Sequence, residues 1–259
     1  MPDAPPDLDA ARALLARHFG YPDFRPLQAR VVRSILTGRD VLAVLPTGGG
    51  KSICFQVPAL LMDGLTVVIS PLISLMQDQV EAAVERGLPA ASLHSGLGKR
   101  VQREVMEGIG AGMLKLLYVS PERLKRLAPK LEELGIRASL LAVDEAHCIA
   151  EWGHDFRPSY RVLRSARRAL GWPQAVALTG SATPDVRQDI IRTLGLGASA
   201  VDGRWRKRDV HLGSFARANL RFEVRRVRDD RDRLRALHAL LRGEDRIAIV
   251  YAPTRNTTE

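Results

Sequence analysis

Residues 41–56 read VLAVLPTGGGKSICFQ. A continuous apolar run, a glycine-rich turn, Lys-Ser and an apolar helical start follow in the order of a buried strand feeding a phosphate-binding loop and then a helix. Gly48, Gly49 and Gly50 allow consecutive backbone N–H groups to wrap an anion, and the following helix adds its positive N-terminus. Lys51 can reach β and γ phosphates and Ser52 can offer its hydroxyl to Mg²⁺, so the loop from Thr47 to Ser52 is the candidate ATP-binding element. Leu45 stands where the general P-loop pattern has glycine.

The same strand chemistry repeats along the chain. TVVIS at 66–70, LKLLYVS at 114–120, SLLAV at 139–143 and AVALTG at 175–180 are short apolar runs, as expected of parallel strands covered on both faces. Helical patterns separate them at 72–86, 101–112 and 184–195, where Pro184 suits a first turn and Gly195 a stop. Alternation of strand and helix predicts an open, mostly parallel α/β sheet sandwiched by helices. After residue 195 the chain becomes Gly-containing and Arg-rich, which reads as a linker with an edge strand. A helix at 230–243 and a strand at 246–256 then look like the start of another α/β unit. The expected organisation is one lobe over 1–200, a basic connector over 201–228 and an incomplete second lobe over 229–259.

With 46% hydrophobic and 26% charged residues in 259, the chain has the apolar mass for a sizeable core, which excludes wholesale disorder. Cys54 and Cys148 are too few for a disulfide framework or a cysteine-rich zinc module. The opening MPDAPPDLDA lacks the basic-then-apolar order of a secretory leader, so a cytoplasmic location and no membrane segment are expected. The net charge of +10 points to a polyanionic partner, but it is uneven: residues 202–259 carry 15 basic and 9 acidic side chains. More than half of the surplus lies outside the lobe that bears the phosphate loop.

A nucleotide site of this type needs an acidic pair at the end of a second buried strand. SLLAV followed by Asp144, Glu145, Ala146 and His147 supplies it. Asp144 would hold Mg²⁺ through water, Glu145 would orient and deprotonate the attacking water, and His147 would link this end to its neighbours. Another strand ends in Thr179, Gly180, Ser181, Ala182, Thr183 and Pro184, where the hydroxyls either hydrogen-bond the acidic pair or cap the next helix. Upstream, FGYPDFRPLQ at 19–28 sets Tyr21 or Phe24, Arg25 and Gln28 before the loop strand. Gln28 suits the edge of an adenine with the aromatic near the ring, and a plain loop and helix start is the other reading.

The stretch CIAEWGHDFRPSY at 148–160 follows the acidic tetrad directly. In a chain with 5% aromatic residues, Trp152, Phe156 and Tyr160 fall within nine positions, interleaved with His154 and Arg157. Such side chains stack the bases of a single strand while Arg serves phosphate, and core packing is the competing reading, most of all for Tyr160.

Together these motifs resemble the RecQ family of ATP-dependent DNA helicases in helicase superfamily 2. FGYPDFRPLQ looks like its motif zero, LPTGGGKS motif I, VVISPLISLMQDQV motif Ia, LLYVSPERL motif Ib, and AVDEAHCIAEWGHDFRPSY motif II with the aromatic-rich loop. LTGSATP is similar to motif III, with Gly180 and Ser181 where the family often has Ala and Thr, and Leu45 is ordinary for the superfamily. FARANLRFEV resembles the segment that joins two motor lobes. The resemblance implies a RecA-like lobe that uses ATP and Mg²⁺ in a motor moving 3′-to-5′ on single-stranded DNA and opening partly duplex DNA in repair or recombination. Lys51 and Ser52 would bind phosphate and Mg²⁺, Asp144 and Glu145 the metal and catalytic water, and Tyr21, Arg25 and Gln28 the adenine. His147, Trp152, His154, Phe156 and Arg157 would couple DNA to ATP use, and Ser181 and Thr183 would couple the lobes. The arginine-bearing motif of a second lobe and a zinc module would lie beyond residue 259, so weak Mg·ATP binding without efficient hydrolysis is expected of this chain alone. A non-hydrolysing ATP and nucleic-acid binding module and an RNA helicase are the competing readings.

Overall fold

Five residues in a row at the start of the core strand, Asp40–Val44, are buried, and one of them is charged. That strand, β1, has neighbours on both sides and helices on both faces, which is why its apolar run does not alternate. The computed structural model describes residues 7–46, 48–150, 157–198, 200–201, 204–214, 221, 223–242 and 248–251. The chain separates into two compact units, Met1–Phe215 and Ala216–Glu259.

In the first unit, α1 (Leu8–Phe19) and α2 (Pro26–Leu36) precede β1 (Asp40–Val44). Then come α3 (Ile53–Leu61), β2 (Leu65–Ile69), α4 (Ile73–Glu85), β3 (Ala90–Leu93), α5 (Lys99–Gly110), β4 (Leu116–Val119) and α6 (Pro121–Glu133). They are followed by β5 (Ala138–Val143), two 3-10 turns (Ala146–Ile149 and Pro158–Val162), α7 (Leu163–Ala169), β6 (Gln174–Thr179) and α8 (Pro184–Leu194). The short β7 (Ala200–Val201) and β8 (Arg204–Trp205) pair antiparallel, and β9 (Arg208–Leu212) returns to the main sheet.

The sheet order is β3-β4-β2-β5-β6-β1-β9, with every described pairing parallel. The strand that carries the glycine loop, β1, thus lies next to β6 and one strand away from β5, so the ends of all three open on one edge of the sheet. The edge strand expected in the basic segment is β9, and its ladder with β1 continues to a hydrogen bond from Gly213 N to Val44 O at 2.8 Å, at the root of the glycine loop.

Side chains alternate between two cores. Val67, Ile69, Leu141 and Val143 pack with α6, α7 and α8, whereas Val41, Ala43, Val68 and Ala142 pack with α2, α3 and α4. Each fully buried Val, Leu or Ile side chain here contributes about 1.5–3 kcal/mol relative to exposure. The charged residue in β1 is held by partners from elsewhere in the chain: Asp40 accepts from Arg167 Nη2 at 2.8 and 2.9 Å, from Ala175 N at 2.9 Å and from Gly197 N at 2.9 Å. Arg167, also fully buried, spends its other donors on the carbonyls of Pro173, Leu194 and Gly195. This pair ties the start of β1 to β6 and to the end of α8.

In the second unit α9 (Asp230–Leu241) begins at Asp229, whose carboxylate accepts from Asp232 N at 2.8 Å. None of its residues is buried, and Ile249, Val250 and Tyr251 are exposed without a ladder partner among the described residues.

Candidate active site

The loop after β1 takes its shape from glycine. Gly48 and Gly50 sit in the left-handed region at φ 74° and 69°, where a side chain costs about 1–2 kcal/mol. Gly49 approaches its own turn so closely, donating N–H to Pro46 O at 2.8 Å, that a Cβ would lie 2.7 Å from that carbonyl oxygen. Lys51 and Ser52 follow, half-buried, and α3 starts at Ile53. Thr47 lies outside the described residues.

Across β6, β5 delivers the carboxylates. Asp144 is buried, continues the ladder by donating its N–H to Ile69 O at 2.8 Å, and accepts from Glu145 N at 2.9 Å. Glu145 sits at φ 45°, one of two described non-glycine residues in the left-handed region; the cost of about 1–3 kcal/mol is carried by the ordered strand end. That turn points its carboxylate at the loop: Lys51 Nζ lies 3.0 Å from Glu145 Oε1. His147 Nδ1 lies 3.3 Å from Glu145 Oε2 and 2.9 Å from Thr179 Oγ1. Because Thr179 Oγ1 donates its proton to Ser181 O at 3.0 Å, it accepts from His147, which fixes the proton on Nδ1. The Cys148 side chain and then Glu145 raise the imidazole to about 10. The hydrogen bond from His147, together with Lys51, depresses the Glu145 carboxyl, whereas burial raises that of Asp144. The two carboxylates therefore differ in character, one held ionised by two cations and one short of positive charge.

Two of the residues expected at the adenine, Arg25 and Gln28, hold the loop. Arg25 Nη1 donates to Gly48 O at 2.7 Å, and Gln28 Nε2 to Gly49 O at 2.9 Å and Gly50 O at 3.3 Å. Gln28 Oε1 accepts from Arg25 N at 2.9 Å, so both Nε2 protons and one of the two oxygen lone pairs of this buried amide are engaged. A Cβ on Gly50 would run into that amide. Tyr21 remains 55% exposed, and Phe24 is in the core.

Trp152, His154 and Phe156 lie outside the described residues. Arg157, beside them, donates Nη1 to Pro71 O at 2.6 Å, just ahead of α4. Tyr160 is fully buried among the residues of one core, as the packing reading has it. Ser181 and Thr183 are exposed; Thr183 caps α8 by accepting from Val186 N at 3.4 Å, and the hydroxyl that reaches His147 belongs to Thr179. Of the hydroxyls at this strand end, Thr179 is thus the one that meets the acidic tetrad and Thr183 the one that caps the helix. A contact not anticipated joins Gln79 Nε2 to Asp144 Oδ2 at 3.1 Å; the available signal was a polar residue on the apolar stripe of α4.

Mg²⁺ prefers oxygen ligands and keeps several waters, taking one or two protein groups and phosphate oxygens. The residues present fit it: a buried carboxylate short of positive charge, the Ser52 hydroxyl, and the buried, unpartnered Gln79 Oε1. Ser70 Oγ, likewise buried and unpartnered, follows Ile69, which pairs with Val143, and so stands abreast of Asp144. Among the described residues no cluster of three His, Cys, Asp or Glu forms.

Residues 25–190 match the DEAD/DEAH box helicase family. The chain is similar to the ATP-dependent DNA helicase RecQ of Bacillus subtilis, 44% identical over 219 residues that cover 84% of this chain and 36% of that protein. It is also similar to the ATP-dependent DNA helicase RecQ of Haemophilus influenzae, 38% identical over 96% of this chain and 38% of that one. The chain therefore spans little more than a third of either relative. In fold it is similar to the crystal structure of a hypothetical ATP-dependent RNA helicase from Sulfolobus tokodaii, with a TM-score of 0.57 at 17% identity over 89% of this chain and 65% of that one. With a glycine loop, an Asp-Glu-Ala-His strand end and a parallel sheet that brings them together, the chain belongs to the DEAD/DEAH box helicase family and within it is similar to the RecQ DNA helicases.

Proposed function

We propose that this chain carries the ATP-binding lobe of a RecQ-type DNA helicase, which couples ATP hydrolysis to 3′-to-5′ movement on single-stranded DNA and to duplex opening in repair or recombination. The observation that carries the reading is the 3.0 Å approach of Lys51 to Glu145, which joins the phosphate loop and the Asp-Glu-Ala-His end into one site.

In this reading Lys51 leaves Glu145 for the β and γ phosphates, and the backbone N–H groups of residues 48–52 cradle the rest of the chain of phosphates. Ser52 and Asp144 would hold Mg²⁺, Asp144 through water, and the ion when bound would supply positive charge against the phosphates. Glu145, relieved of Lys51, orients a water on the γ phosphorus and takes its proton as the P–O bond to ADP breaks. His147, bonded to both Glu145 and Thr179, gives the neighbouring strand end a hold on the base. Tyr21, Arg25 and Gln28 tie adenine recognition to the loop itself, since the last two already bind its carbonyls. Trp152, His154, Phe156 and Arg157 would report single-stranded DNA to Glu145. An arginine from a second lobe would complete the site and is worth roughly 10³ to 10⁵ in rate for related hydrolases.

ATP turnover with and without single-stranded DNA, in a form that includes a complete second lobe, tests this. Glu145→Gln is expected to abolish turnover, and Trp152→Ala to abolish only its stimulation by DNA. Equal stimulation by single-stranded RNA, or basal turnover unchanged in Glu145→Gln, would contradict the reading.

A further inference from the structure

Helix α4 faces the sheet with a narrow apolar stripe of Met76, Val80 and Ala83. Gln79 falls on the same stripe, three residues after Met76 and four before Ala83. A glutamine among such neighbours is unfavourable unless both ends of its amide are used. One end is: Nε2 donates to Asp144 Oδ2 at 3.1 Å. The carboxylate partner settles the orientation, because an ionised acid accepts only and must face the NH₂ group. The carbonyl end, Oε1, is thereby left buried beside Asp144 with no partner.

A side chain that merely filled space here would be leucine or methionine, and a hydrogen-bonding residue serving only the protein would satisfy both ends within it. Gln79 does neither. Its unmatched atom is an acceptor, next to a carboxylate that holds its cation through water in the reading above, and the waters of a bound divalent ion are strong donors. Ser70 Oγ, abreast of Asp144 on the adjacent strand, is a second buried polar atom without a partner. Helix α4 is itself secured ahead of its first residue by Arg157 on Pro71 O, so Gln79 is presented from an anchored element.

We infer that Gln79 is a positioning residue for the nucleotide-site cation, its Nε2 fixing the Asp144 carboxylate and its Oε1 accepting from a water on the Mg²⁺ that Asp144 holds. The inference rests on the reading of Asp144 as the metal carboxylate. Groups that orient a ligand in this way typically change metal affinity by about tenfold or more when removed.

The test is the Mg²⁺ dependence of binding of a fluorescent ATP analogue to the 259-residue chain, for the wild type, Gln79→Ala and Gln79→Met. Methionine keeps the packing volume, so it decides the matter if the alanine variant does not fold. Both variants are expected to need about tenfold more Mg²⁺ for half-maximal effect, to bind the analogue in EDTA within about twofold of wild type, and to recover wild-type affinity at saturating Mg²⁺. A Mg²⁺ requirement in Gln79→Met equal to that of a Mg²⁺-dependent wild type overturns the inference and leaves the site reading intact. Equal weakening with and without Mg²⁺ also overturns it, as the signature of a packing role. A wild type that binds the analogue identically in Mg²⁺ and EDTA removes the site reading, and the inference with it.

Discussion

Lys51 Nζ and Glu145 Oε1 are 3.0 Å apart, so the cation proposed for phosphate is neutralised by the carboxylate proposed for water. Each group holds the other, and both are largely shielded from solvent.

Glu145→Gln removes the charge that competes with phosphate for Lys51. The variant is expected to bind Mg·ATP more tightly than wild type by up to about fivefold, the worth of an ion pair of about 1 kcal/mol. Equilibrium binding of a fluorescent nucleotide measures it, and weaker binding in the variant would show that the pair does not oppose nucleotide entry.

Gly48 and Gly50 share a left-handed backbone but not surroundings. A Cβ on Gly48 meets nothing within 4 Å, whereas one on Gly50 collides with the Gln28 amide that holds the loop. Gly48→Ala is expected to lose about 1–2 kcal/mol of stability, the backbone cost alone. Gly50→Ala is expected to lose more and also to weaken nucleotide binding. Urea denaturation and nucleotide titration of both variants check the contrast.

Asp40 and Arg167 form a fully buried ion pair with every strong donor used. Arg167→Met leaves the buried Asp40 carboxylate with Arg206, 3.6 Å away, as its nearby cation and should destabilise the chain by about 3 kcal/mol, the lower end for a broken buried pair, whereas Asp40→Asn with Arg167→Met should recover part of that loss. Denaturation midpoints of the single and double variants give the comparison.

Burial raises the Asp144 carboxyl, so the folded chain holds that proton more tightly than the unfolded chain does. Stability is therefore lost as pH rises from the unfolded carboxyl's value through the higher folded one. In the absence of divalent ions, Asp144→Asn is expected to melt above wild type at pH 8, with the gap narrowing as pH falls toward about 4. Glu145 runs the other way: its depressed carboxyl contributes fully above the ordinary range, and that contribution fades in acid. Scanning calorimetry across pH distinguishes the two signs.

The glycine loop and the Asp-Glu-Ala-His end were legible because each is a local pattern, an apolar run meeting a chemically distinctive turn. The strand β3 was not, since Ala-Ala-Ser-Leu at a half-buried sheet edge has neither an apolar run nor a bulky residue to mark it. Asp40 and Arg167 are 127 positions apart, and nothing in sequence spacing couples them. Gln79 was passed over for a related reason: it is an ordinary polar residue whose importance comes from what the sheet sets beside it. The tail strand expected at 246–256 finds no ladder over 248–251, because a strand is defined by a neighbour's backbone.

The most direct measurement is titration calorimetry of Mg·ATP into the 259-residue chain and its Lys51→Ala variant, with circular dichroism confirming that both are folded. The account predicts one nucleotide bound per wild-type chain and no binding heat in Lys51→Ala. A folded wild type that binds no Mg·ATP, or a Lys51→Ala variant that binds it as well as wild type, would contradict it.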